Sequence, residues 1–232
     1  MTAAVVDNSL ANGRLTLTSG TPVTTSDVTA ATTLYYTPYN GNRISLYDGT
    51  STWTTLTFNE LSLALTNYTA NSNYDIWAYN NSGTVALEST IWTNDTTRTT
   101  ALVYQNGVLV KSGATTRRYL GTIRITGTTG QTEDSASKRF VWNINNRVKK
   151  QLVARNSGSW TWNQNAWRAE AGNTTDGIGR FSLVYGYPIE IFAAVFLGEI
   201  DSDAYGYPVG IGIGIDSTTA NSAQINNGPM VI

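Results

Sequence analysis

Apolar and polar residues alternate along most of this chain, in short runs. Arg43, Ser45 and Tyr47 fall on one face of such a run, and Ile44 and Leu46 on the other. A period of two is the signal of a β-strand with two unlike faces. Asn40-Gly41 and Asp48-Gly49 separate the runs of residues 33–58. Such pairs accept positive φ at the centre of a two-residue turn, so this stretch predicts three strands joined by two tight turns. The same grammar recurs elsewhere. Leu15 and Leu17 alternate with threonine until Thr21-Pro22 breaks the run, and Leu61, Leu63 and Leu65 mark another strand. Tyr74, Ile76 and Ala78 face Val85 and Leu87 across Asn80-Asn81-Ser82-Gly83. Residues 101–105 and 108–111 flank Asn106-Gly107, and residues 117–125 read as one strand. Asn156-Ser157-Gly158 predicts a further hairpin.

Two regions depart from the pattern. In residues 133–148, Phe140, Ile144 and Val148 are spaced for a helical face, with Asp134 as a cap, while Phe140, Trp142 and Ile144 alternate as in a strand. A short helical turn leading into a strand is the expectation there. In the last third, Tyr185-Gly186-Tyr187-Pro188 and Tyr205-Gly206-Tyr207-Pro208 each precede an alternating apolar run. The second run interleaves Gly210, Gly212 and Gly214 with isoleucine, which points to close approach of another backbone or a symmetry axis. The expected fold is all-β: a hairpin-rich antiparallel sandwich or barrel-like domain with at most one short helix. Residues 1–13 are read as an extended arm, 14–180 as the main domain, and 181–232 as strands packed on it or at an oligomer interface.

Composition narrows the chemistry. The 232 residues include no histidine and no cysteine, which removes Ser-His and Cys-His nucleophiles, thiolate metal sites and disulfides. Hydrolases built on paired carboxylates survive this filter. Charged residues are 13% of the chain, about half the ~25% of ordinary soluble domains, and the net charge is -1. No basic stripe exists to release counterions from a phosphate backbone, so nucleic acid is not an expected partner. No apolar run approaches the ~20 residues of a membrane-spanning helix, and no leader segment is visible at Met1. No cofactor is expected.

Several residues are candidates for chemistry or contact. Asp201-Ser202-Asp203 resembles part of a calcium loop but lacks the distal glutamate, and reads as a solvated turn. Glu133 and Asp134 are adjacent, so on a strand they face opposite ways and do not pair for acid–base work. Asp75, Glu88 and Asp95 are placed where they can meet Glu60 across strands, though no spacing demands it. Trp160 and Trp162 share one face of a hairpin near Trp167, either filling a core or stacking on sugars and partner proteins. Arg117-Arg118, Lys138-Arg139 and Lys149-Lys150 are basic pairs suited to an acidic partner surface. The expected interface residues are therefore Arg117, Arg118, Trp160, Trp162, Gly210, Gly212 and Gly214.

Four stretches, residues 13–49 (GRLTLTSGTPVTTSDVTAATTLYYTPYNGNRISLYDG), 74–89 (YDIWAYNNSGTVALES), 108–123 (VLVKSGATTRRYLGTI) and 132–148 (TEDSASKRFVWNINNRV), resemble a module of virion structural proteins from tailed bacteriophages. The resemblance covers roughly the first two thirds of the chain. It implies a non-enzymatic, β-rich component of the particle, on the head, tail or fibre, and carries over no catalytic residues. A compact chain with a short arm fits a head decoration or cement protein that binds between capsomers, with the arm lying across neighbours. The partners so implied are further copies of itself, as a homotrimer at local threefold positions, and the major capsid protein or other virion proteins. The alternative is a tail-fibre or receptor-binding module holding host glycans on exposed Trp and Tyr.

Overall fold

The structure, a computed structural model, describes residues 7–153 and 182–186. All of them belong to one compact unit; the second unit of the chain lies outside the described residues. The unit is all-β, as the alternation predicts, and no helix occurs among the described residues. Strands β1 (Gly13–Thr16), β3 (Thr33–Pro38) and β6 (Leu61–Ala64) form one antiparallel sheet in the order β1-β3-β6. Strands β4 (Arg43–Tyr47) and β5 (Trp53–Thr57) form a second. The largest sheet runs β8 (Thr84–Ile91), β7 (Asn73–Asn81), β11 (Ala114–Arg124), β10 (Val108–Lys111), β9 (Leu102–Gln105), with β14 (Val141–Asn143) also paired to β11. A fourth joins β2 (Val28–Ala31), β12 (Thr132–Asp134), β13 (Lys138–Arg139) and β15 (Ser182–Leu183), the last running parallel to β13.

The main core lies between these sheets and takes Leu15, Leu34, Tyr36, Ile44, Leu46, Ile76, Ile123 and Ile125. Each such side chain contributes roughly 1.5–3 kcal/mol relative to its exposed state. Strand β7 is buried on both faces. Tyr74, Ile76 and Ala78 enter the main core, and Trp77 enters a second cluster with Tyr119, Trp142 and Val184. Strand β11 is likewise two-sided, and a bulge between Tyr119 and Gly121 shifts its register against β7. A Cβ on Gly121 would lie 2.0 Å from the Trp142 carbonyl oxygen, so only glycine lets β14 approach there.

The hairpins at Asn106-Gly107 and within Asn80–Gly83 form, the second with a shorter loop than expected, because Asn81 pairs with Thr84. Ser82-Gly83 and Asn106-Gly107 are the centres of two-residue turns, each with both residues at positive φ. Asp48-Gly49 does not centre the expected two-residue turn: Tyr47 pairs with Trp53, so residues 48–52 join β4 to β5, and of the pair only Gly49 has positive φ. Asn40-Gly41 does not make the predicted hairpin. Strand β3 pairs with β1 and β6, and β4 pairs with β5. Of this pair only Gly41 has positive φ, and the Tyr39 and Asn40 N–H groups donate to the Asn12 carbonyl. The free edge of β4 is taken by residues 10–12 instead, through Ser45 N–H to Leu10 O and Asn12 N–H to Arg43 O.

Residues 133–148 hold no helical turn. Thr132–Asp134 is a strand, and the reciprocal bonds Ser135 N–H to Lys138 O and Lys138 N–H to Ser135 O close a tight turn into β13. The strand reading of Phe140, Trp142 and Ile144 wins because both faces find cores: Val141 packs on the main one, and Trp142 and Ile144 join the second.

Candidate interaction surface

Arg118 and Arg117 are neighbours on β11 and point to opposite environments. Arg118 is 2% exposed, beneath the chain that precedes β1. Its Nη1 donates to the carbonyls of Asn8 and Ser45, both at 2.8 Å, and its Nη2 to that of Ser9 at 2.9 Å. Burial draws the guanidinium down to about 10, so it stays charged at neutral pH. It makes no ion pair with a described carboxylate. Arg118 is therefore not a surface cation open to an acidic partner: its charge is met by carbonyl oxygens of residues 8, 9 and 45.

Arg117 does reach the surface. Its Nε donates to Glu88 Oε2 at 3.0 Å, Lys111 Nζ holds the other oxygen at 3.1 Å, and the guanidinium lies 4.4 Å from the Tyr79 ring centre. Trp160, Trp162, Gly210, Gly212 and Gly214 lie outside the described residues, as do the Asp201 turn and the hairpin at Asn156.

The arm segment, residues 7–12, is held along its length. Ser45 Oγ donates to Asp7 O at 2.6 Å, Asn8 Nδ2 donates to Asn106 O at 2.8 Å, and Asn146 Nδ2 donates to Ala11 O at 2.7 Å. Asn146 reaches that position from a left-handed backbone, φ 51°. Ala11 is buried in the main core. An open cleft of about 230 Å³ adjoins the segment, with Ser9, Arg118, Tyr104, Leu109 and Ile144 in its walls.

A buried polar network lies on the other face of the large sheet. Asp75 accepts from Arg98 Nε at 2.8 Å and from Thr122 Oγ1 at 2.7 Å, and Thr122 shares a 2.5 Å bond with the Tyr119 hydroxyl. Burial pushes the Asp75 carboxyl up, and the Arg98 charge opposes the rise. Burial also pushes the Tyr119 phenol up. The Arg98 guanidinium stacks 4.4 Å from the Trp92 ring centre and donates to the Gly186 carbonyl, which ties residues 182–186 to the network.

The acids that sequence placed together are apart. Glu60 is bound by Ser19, Gly20 and Thr37, Asp95 by Arg124, Glu88 by Lys111 and Arg117, and Asp75 by Arg98. They do not meet because each is held by its own partners: the Ser19-Gly20 turn and β3 for Glu60, Arg98 for Asp75, and β10 and β11 for Glu88 and Asp95. Glu133 and Asp134 do face opposite ways: Glu133 takes Lys138 at 3.2 Å, and Asp134 takes Arg139 and Lys150, both at 3.0 Å. No group of three metal-ligating side chains occurs among the described residues.

Sequence reasoning missed Asn146, Asn143 and Ser45 as positioning residues. Their roles come from partners more than a hundred residues away for the two asparagines, which no local pattern encodes. No family model, curated protein or solved structure matches the chain.

Proposed function

We propose that this chain is a non-enzymatic structural protein of a tailed-bacteriophage particle, a capsid decoration or cement protein that binds the head surface and stabilises capsomers. The observation that carries this reading is where the phage-like stretches fall. They supply β1 to β4, the β7–β8 hairpin, the β10–β11 pair and β12 to β14. The likeness therefore follows the strands that build the domain, as expected where the shared property is a shape. The distribution of acids supports it too: among the described residues Asp75, Glu88, Asp95, Glu133 and Asp134 are each held in an ion pair, and Glu60 is held by Ser19, Gly20 and Thr37. Such a protein acts by burying area between neighbours, with homotrimers at threefold positions of the shell as the expected unit.

Electron microscopy of purified particles tests this. Density for the chain on the head surface is the expected result, and particles without it on the head would overturn the placement.

Exposed tyrosines favour a second reading, a receptor-binding module for host glycans. Tyr39, Tyr104 and Tyr185 are 44%, 62% and 54% exposed, and aromatic faces stack on sugar rings. Binding to a glycan array that falls in a Tyr104→Ala variant is the expected result under this reading, and silence across the array removes it.

A further inference from the structure

Every carbonyl of residues 7–13 accepts a hydrogen bond from elsewhere in the domain. Asp7 O takes Ser45 Oγ, Asn8 O and Ser9 O take Arg118, and Leu10 O takes the Ser45 N–H. Asn12 O takes the N–H groups of Tyr39 and Asn40, and the single carboxamide of Asn146 serves both Ala11 O and Gly13 O. Side chains add little by comparison. Asp7 and Ser9 are exposed, and among residues 7–12 only Ala11 is buried. The groove thus reads an extended main chain with one small residue, as sites that accept an added strand do.

The same geometry makes an empty groove costly. Arg118 already has its Nε without a partner, and loss of Asn8 O and Ser9 O would remove two of the three carbonyls that meet its charge. The edge of β4 would also lie open at Arg43 and Ser45. If residues 7–12 leave, something of the same form must replace them.

We propose that this groove is an exchange interface between copies of the chain, in which residues 7–12 of one copy fill the groove of the next. The inference rests on the assembly reading above and names the contact by which copies join. A second copy offers the identical carbonyls and the identical Ala11, so every bond is remade. The balance between the closed and exchanged forms is then set by local concentration and by the path from Asn12 into β1. That path is tight. The Gly13 N–H donates to the Tyr36 hydroxyl, and a Cβ on Gly13 would fall 2.5 Å from the Tyr36 ring. Only glycine fits at this junction, and crowding of copies on a particle raises the local concentration.

The chain has no cysteine, so introduced thiols report single contacts. Ala11 and Ile44 face each other in an antiparallel bridge. Purified Ala11→Cys and Ile44→Cys variants are mixed at high concentration and oxidised. The expected product is a covalent dimer containing one of each. Both positions are buried, so a second pair guards against misfolding: Asn8→Cys and Asn106→Cys, near the exposed hairpin tip, mixed and joined by a short bismaleimide. A mixed dimer from either pair supports exchange. Monomers only, in both mixtures, while the double variants close within one chain, overturn it. These experiments use purified protein alone. Exchange without density on the particle would sink the assembly reading and leave the interface standing, and the reverse result would do the opposite.

Discussion

The carboxamide of Asn143 pairs with both main-chain groups of Leu15. Its Oδ1 accepts the Leu15 N–H at 2.7 Å, and its Nδ2 donates to the Leu15 carbonyl at 3.1 Å. One side chain thus completes the edge of β1 that β3 does not cover, and joins the small sheet to β14. In an Asn143→Leu variant both groups of Leu15 stay buried without partners, which costs about 1–3 kcal/mol for each unsatisfied group. Thermal denaturation should show a midpoint lower by about 2–4 °C for each kcal/mol lost. An unchanged midpoint would mean that water replaces the carboxamide.

Arg117 and Arg118 should separate sharply under the same substitution. Arg117→Met breaks a partly exposed pair with Glu88, an interaction of about 0–1 kcal/mol. Arg118→Met leaves the carbonyls of Asn8, Ser9 and Ser45 without their donor, at about 1–3 kcal/mol each where no water reaches. Arg118→Lys does not restore the site, because one ammonium lacks the fork that spans those three oxygens. Amide hydrogen exchange at Leu10 and Asn12 is the direct readout: faster exchange in Arg118→Met, and wild-type rates in Arg117→Met.

Gly121→Ala tests the close approach of β14 to β11. The added methyl meets the Trp142 carbonyl oxygen, a main-chain atom that has no rotamer to escape through. The pairing of Gly121 with Asn143 must open, so a loss of at least about 1–3 kcal/mol is expected. Tryptophan fluorescence during denaturant unfolding measures it and reports Trp142 at the same time. A variant as stable as the parent would show that β14 is held elsewhere.

What sequence could reveal here was local. Asn106-Gly107 and Ser82-Gly83 carry their turn geometry in the backbone preferences of adjacent residues, so those hairpins could be read without the rest of the fold. Asn40-Gly41 carries the same wording and fails, because β4 finds its second neighbour in residues 10–12, some thirty positions upstream. Arg117 and Arg118 read as one basic patch, although adjacent strand residues face opposite sides, and that alternation was the available signal. The arm-holding groove was illegible for another reason. Its donors come from β4, β11, the 39–40 turn and Asn146, and the atoms they recognise are main-chain carbonyls that every residue owns.

Two aspartates should give the protein opposite responses to acid. The Asp48 carboxyl is held at about 2, down from 3.8, chiefly by the N–H groups of Thr52 and Thr50, with Ser51 adding less. The unfolded chain therefore binds the proton first as pH falls. Stability from Asp48 is fully present above 3.8 and is lost as pH falls from there through about 2. Asp75 runs the other way. Burial raises its carboxyl above 3.8 against the opposing Arg98 charge, so the folded chain binds the proton first, and stability falls as pH rises through that raised value. Asp48→Asn keeps an acceptor oxygen for the turn but cannot titrate, so its melting temperature should fall less steeply between pH 4 and pH 2 than that of the parent. Asp75→Asn removes the opposite slope above pH 3.8, along with the ion pair to Arg98. Melts of the three proteins across this range decide the matter: if the Asp48→Asn curve merely parallels the parent curve below pH 4, the turn does not hold the carboxylate as its three N–H donors imply.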